Sequence, residues 1–216
     1  MEDLENQPKV KRTITYDRPQ SSTIFRISWY AIGLKPGAML NEYSEGEGKL
    51  FKGKAMFTVP LDDTKTQVRL WVEEAQRSIE LTAWGPDKEM LNDYLDEVVS
   101  RLETYIDKYS ELSNENRQKV RRALVAKTCW DRVVYEILNK APLSSIYVQV
   151  AHGREMMIKA TEGEDIHPLA LTTSGWLTKI EELPQDEPPP SDIAENLAKK
   201  TVEWKKETHG VIGNYL

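Results

Sequence analysis

Residues 79–102, IELTAWGPDKEMLNDYLDEVVSRL, change period in their middle. Up to Trp84, apolar Ile79, Leu81 and Ala83 alternate with polar neighbours, the period of a half-buried strand. After Gly85-Pro86, Leu91, Leu95, Val98 and Leu102 recur at spacings of four, three and four, and Tyr105 and Tyr109 continue the seam. Pro86 suits a first helical turn, where its missing N–H costs nothing, and Asp87 and Glu89 meet the helix dipole favourably. One chain that is strand-like before this point and helical after it reads as α+β.

Working back toward the N-terminus, period two persists from Lys9. Val10, Ile14 and Tyr16 form one set, and Phe25, Ile27, Trp29 and Ala31 a second. Phe51, Ala55, Phe57 and Val59 make a third, and Val68, Leu70 and Val72 a fourth. Turn residues at Lys35-Pro36-Gly37, 44–48 and 60–63 separate them, so an antiparallel β-meander over 9–84 is expected. Its second face carries Lys, Arg, Gln, Glu and Thr together with Tyr30, Met56, Trp71 and Trp84, and is polar in part and aromatic in part.

Working forward, Ser113 or Asn114 can cap a second helix running to Asn139. Val120, Leu124, Trp130, Val134, Ile137 and Leu138 lie on its inner side, and Pro142 limits it. The short connection predicts a helical hairpin over 86–140. Ile146, Val148 and Val150 answered by Met156, Ile158 and Ala160 around His152-Gly153 predict a small second β-hairpin over 144–161. Residues 168–180 read equally as a strand or a short helix. Residues 181–192 hold four prolines and five acids, the composition of an extended, solvated linker. Ile193, Leu197, Thr201 and Trp204 then share a helical face, with Asp192 and Glu195 as a capping box and Gly210 as a stop. The expected organisation is one α+β domain over 1–180, a linker over 181–192, and a tethered helical arm over 193–216.

Composition bounds the function. The chain has 216 residues, 39% of them apolar and 30% charged, and enough length to bury roughly 70% of its unfolded surface. No apolar run approaches a membrane span. Cys129 is the single cysteine, which excludes an internal disulfide and suits a reducing compartment. The opening residues, Met1 to Gln7, lack the basic and apolar regions of a secretory signal. An intracellular, cytoplasmic setting is expected rather than secretion.

Motifs for catalysis are sparse. Residues 48–55, GKLFKGKA, space glycines and lysine as a phosphate-binding loop does, yet Ala55 supplies no hydroxyl for magnesium, and a strand rather than a helix follows. His152, His167, His209 and Cys129 stand singly, without the two-to-four spacing of a structural zinc site. Cys129 has Lys127 and Arg132 nearby, weak reasons for a reactive thiolate. Thr173-Ser174-Gly175 near His167 is the one hydroxyl cluster to weigh for acyl transfer, and a turn explains it. No cofactor is implied. A non-enzymatic protein is expected, with an unrecognised enzyme as a further alternative.

Charge is unevenly placed. Residues 1–60 carry 9 basic and 7 acidic groups, 61–113 carry 6 and 13, 114–160 carry 9 and 4, and 161–216 carry 5 and 11, for a net −6. Arg117, Lys119, Arg121 and Arg122 open the second long helix at the wrong end of its dipole, at a cost on the order of 0.3–1 kcal/mol each. Pairing with Glu103, Asp107 and Glu111 would compensate, as would the acidic linker and tail folding back, or an acidic partner. The arm also needs a surface, because an isolated helix of about sixteen residues is marginal in water. Ile193, Leu197, Trp204, Tyr215 and Leu216 would provide its contacts. These features predict a protein-binding or assembly role, with self-association through the helical seam or the arm. The alternative is a nucleic-acid-binding accessory protein using Arg117, Lys119, Arg121 and Arg122, with Lys9, Lys11 and Arg12 as a second patch.

Overall fold

In a computed structural model of the chain, the described residues are 4–17, 21–44, 53–61, 66–160 and 177–216. Contacts divide the chain into two compact units, Met1–Lys108 and Tyr109–Leu216. The fold is α+β.

The first unit holds a five-stranded antiparallel sheet of β1 (Lys9–Thr15), β2 (Met39–Ser44), β3 (Lys54–Pro60), β4 (Gln67–Ala75) and β5 (Ser78–Trp84). The order is β1-β5-β4-β3-β2, so the first strand closes against the last and the other four form an antiparallel meander, in which β3, β4 and β5 answer expected strands and β2 does not. Val10, Ile14, Phe57, Leu70, Val72, Ile79 and Leu81 fill one face of this sheet. Two helices, α1 (Ser21–Gly33) and α2 (Lys88–Glu111), lie on that face. Trp29 of α1 packs edge-on against Phe57, their centroids 5.5 Å apart. Arg12, which shares the core face of β1 with Val10 and Ile14, donates to Asp96 and Asn92 of α2, both at 2.9 Å. Leu91, Leu95, Val98 and Leu102, the seam that decided the fold, are buried.

One expected strand is absent from this unit. Residues 25–31 are not a strand; they belong to α1. Ile24, Ser28, Tyr30 and Ile32 are buried along with Phe25, Ile27, Trp29 and Ala31, so the helix is covered on nearly all sides and its 3.6 period disappears. The fifth strand is β2 instead, short and exposed, with a register shift between Leu40 and Glu42 that interrupts its alternation.

The second unit contains α3 (Asn114–Leu138), α4 (Leu143–Ala160) and α5 (Ser191–Gly213). Ser113 caps α3 by accepting from the Asn116 N–H, as expected. The β-hairpin expected over 144–161 is a correction: residues 144–160 belong to α4, and Thr161 lies outside the described residues. Its buried positions are Leu143, Ile146, Val150, Gly153 and Met157, at helical spacing, while Val148 of the supposed inner strand face is 61% exposed. His152-Gly153 is no turn. Gly153 lies against the Trp130 ring, where a Cβ would come within 2.1 Å of Cζ3.

The proline-rich segment is not a free tether either. Carbonyls of Glu187 and Gln185 accept from the Leu143 and Ser144 N–H groups at 2.8 and 3.2 Å. They thereby satisfy two of the amides that a helix start leaves unpartnered. Half-buried Leu183 joins the core of Trp130, Val133, Ile146, Ile180, Leu197 and Trp204. The last helix begins at Ser191 with Pro190 as N-cap and no side-chain cap, so the Asp192–Glu195 box does not form. The helix also passes through Gly210 to Gly213. Residues 177–181 are helical; the rest of the ambiguous 168–180 stretch lies outside the described residues.

Candidate functional site

The uncovered face of the first unit's sheet gathers side chains that sequence spacing alone scatters. Strand register orders them in rows. The first row across the sheet is Lys9, Trp84, Arg69, Thr58 and Met39. Beside it run Lys11, Thr82, Trp71, Met56 and Glu42, and then Thr13, Glu80, Glu73, Lys54 and Ser44. Two indoles therefore stand diagonally adjacent on β4 and β5, the relation in which large side chains on neighbouring strands reach one another. Lys9, Lys11, Arg69 and Met39 are exposed, while Trp71, Trp84 and Met56 are half-buried.

The electrostatics divide the face. Lys9 places its ammonium 5.3 Å from the Trp84 ring centroid, within cation–π range. Arg69 pairs with Trp84 from the opposite side. That end thus presents an aromatic surface bracketed by cations. At the other end Glu73 and Glu80 are direct cross-strand partners, a repulsive placement. Lys54 offsets it with an ion pair to Glu73 at 2.7 Å, and the Trp71 indole N–H adds a bond to Glu73 at 3.3 Å. The Lys54 bond first, helped by that of Trp71 and by the charges of Lys54 and Lys11, holds the Glu73 carboxyl below its ordinary range against the opposing effect of burial. Glu73 is thereby paired locally, and the cations Lys9, Lys11 and Arg69 gather toward the Trp84 end.

The expected partner-binding residues fall elsewhere and are largely engaged. Leu197, Trp204 and Leu216 are buried and Ile193 and Tyr215 half-buried, with α5 packed on α3 of its own chain. Trp204 and Trp130 contact at 4.6 Å, and the Trp130 N–H donates to Thr208 at 3.0 Å. Among the basic residues of α3, Lys119 pairs with Glu115 at 3.1 Å and Arg122 donates to the Lys159 carbonyl at 3.2 Å. Arg117 is half-buried and Arg121 exposed. The first-turn cations are thus met in part by i,i+4 pairing and by the C-terminal end of α4, where a carbonyl awaits a donor.

Beneath α5 lies a second concentration of charge. Asp131 of α3 accepts from Lys127 at one carboxylate oxygen and from Lys205 at the other, each at 2.5 Å. Lys127 is 1% exposed. Burial holds its pKa below the ordinary lysine value, against the charge of Asp131. Burial alone would raise Asp131, but the two ammonium groups outweigh it and hold the carboxyl down at about 2. Lys127 and Asp131 are buried, and the reading this cluster supports is structural.

Other motifs give no site. Gly53 donates to buried Glu74 at 3.3 Å and Ala55 lies in β3, so no helix follows the glycine-lysine segment, whose residues 48–52 lie outside the described residues. His167 and Thr173-Ser174-Gly175 also lie outside them. Cys129 is buried, and among the described residues no group of three or more His, Cys, Asp or Glu could hold a metal. No described helix is long and apolar enough to cross a membrane. Compared with protein-family models, curated proteins and solved structures, the chain matches none of them.

Proposed function

We propose that the chain is a non-catalytic binding protein whose ligand is single-stranded nucleic acid, held on the uncovered sheet face of the first unit. One observation carries this reading: Trp84 and Trp71 stand side by side on the sheet with Lys9, Lys11 and Arg69 around them. Single strands bind by stacking bases on aromatic side chains while cations follow the phosphates, and an open antiparallel sheet gives both a flat support. Self-association through the seam or the arm draws on apolar surface that this chain already buries. The basic start of α3 has Lys119 and Arg122 already engaged and carries no aromatic residue before buried Trp130.

Titration of the full chain with a short oligothymidylate at low salt, followed by tryptophan fluorescence, tests the proposal. Quenching that saturates is expected. Trp84→Ala and Trp71→Ala should each weaken binding by about 5- to 150-fold, the equivalent of one stacked base at roughly 1–3 kcal/mol. Absence of binding to the intact chain would refute the reading, as would binding unaffected by both substitutions.

A further inference from the structure

A cavity of about 440 Å³ opens beside Trp84, lined by Leu4, Glu5, Gln7, Lys9 and Trp84. Its outer wall is the chain's approach to β1, where a turn closed by the Gln7 N–H on the Leu4 carbonyl at 3.3 Å precedes the strand. The Gly85 N–H bonds the Pro8 carbonyl at 3.3 Å and ties that wall to the end of β5. The cavity thus adjoins the end of the row that continues through Trp84 to Arg69. Its volume is in the range of small-ligand sites.

We infer that this cavity takes one nucleobase with N–H donors on its Watson–Crick edge, guanine foremost; the choice of a nucleobase rests on the single-strand reading above. The lining supplies each element such a base needs. The Trp84 indole offers a ring surface that the Lys9 ammonium already borders at 5.3 Å from its centroid, Leu4 gives an apolar wall, and Lys9 supplies a cation for a phosphate. The Glu5 carboxylate brings acceptor oxygens, so it favours an edge that presents donors. Guanine offers its ring N–H and its amino group side by side, and one carboxylate can accept both. Uracil and thymine offer a single N–H between two carbonyls, which a carboxylate repels. Gln7 has both a donor and an acceptor to add. An unpaired base in a single strand exposes that edge, whereas duplex pairing consumes it. The same carboxylate disfavours a phosphate inside the cavity, which orients the base inward and the backbone toward Lys9.

The test compares guanosine and uridine 5′-monophosphates with a short oligothymidylate on the full chain, by tryptophan fluorescence, using the natural protein and Glu5→Gln. Glu5 is exposed, and an unchanged melting temperature would confirm that the variant folds. The expected result is a preference for the guanine nucleotide of at least about 5-fold, the lower end of what a bidentate base contact confers. Glu5→Gln should abolish that preference while oligothymidylate binding persists. Equal binding of both mononucleotides, or a preference insensitive to Glu5→Gln, overturns the cavity assignment while oligothymidylate binding keeps the sheet reading alive. A Glu5-dependent guanine preference without strand binding upholds the cavity and removes the sheet reading. Binding of neither ligand class overturns both.

Discussion

Lys127 sits at 1% exposure with an Asp131 carboxylate at 2.5 Å, and its cost depends entirely on that partner. Removing one member of a buried pair leaves a charge without compensation, at about 3–5 kcal/mol, whereas replacing both with apolar groups is often neutral or stabilising. Asp131→Leu alone should therefore lower the unfolding free energy by about 3–5 kcal/mol in urea titrations. Adding Lys127→Met should recover most of the loss; two independent, additive losses would contradict this. His209, four residues beyond Lys205 on α5, is depressed to about 4 by burial, aided by the charges of Lys127 and Lys205 and opposed by Asp131. A base with a lowered folded pKa takes up its proton more readily when unfolded. Its contribution is thus complete above about pH 6.5 and is lost as pH falls toward 4. Asp131, with a folded pKa of about 2 against an ordinary 3.8, loses its own contribution only below that, as pH falls from 3.8 toward 2. The melting temperature should decline in two stages, and His209→Gln should flatten the first and leave the second. None of these residues announced the cluster in the sequence. Lys127 and Asp131 at i,i+4 look like a solvated helical pair, and only α5 packing across them makes them a buried one.

Gly153 shows why element type was misread over 144–161. Its alternation with neighbouring apolar residues imitates a hairpin, and glycine after histidine imitates a turn. In α4 the glycine instead makes room for Trp130, whose ring a Cβ would meet at 2.1 Å. Glycine costs about 1 kcal/mol relative to alanine in a helix, and overpacking a core costs roughly 1–3 kcal/mol. Gly153→Ala should therefore destabilise the protein despite its better propensity. Gly210→Ala on α5 is the control, since nothing lies within 4 Å of its added methyl, and it should stabilise by up to about 1 kcal/mol. Urea denaturation of the pair checks both signs; equal effects would mean that propensity, not the Trp130 contact, decides. The long amphipathic α2 and the strands from 54 to 84 were legible because each has one wet face. Helix α1 was not, because its burial on nearly all sides leaves no polar stripe to count.

Charge is legible in the sequence as blocks, but its meaning depends on faces that only folding creates. In the first unit the acids Asp93, Asp96, Glu97, Glu103 and Asp107 belong to α2, on the core side of the sheet, while Lys9, Lys11 and Arg69 project from the other side. Mixed half-aromatic strand faces were visible from Trp71 and Trp84 in the sequence. The rows joining them to Lys9 and Arg69 were not, because they require β1 to pair with β5 across more than sixty residues of chain. The net charge of −6 is therefore no guide to local binding, since at physiological salt charges more than about 8 Å apart are screened. If three phosphates are neutralised by Lys9, Lys11 and Arg69, the logarithm of affinity for a single strand should fall with the logarithm of salt with a slope of about −2, near −0.7 per contact. Lys11→Ala should reduce that slope by about 0.7. Arg121→Ala, on the exposed start of α3, should leave it unchanged, as should Glu103→Gln on α2. A slope that responds to Arg121 rather than to Lys11 would transfer the interface to the second unit. A slope near zero would mean that stacking without phosphate contact holds the strand, and the cations around Trp84 would then serve the sheet alone.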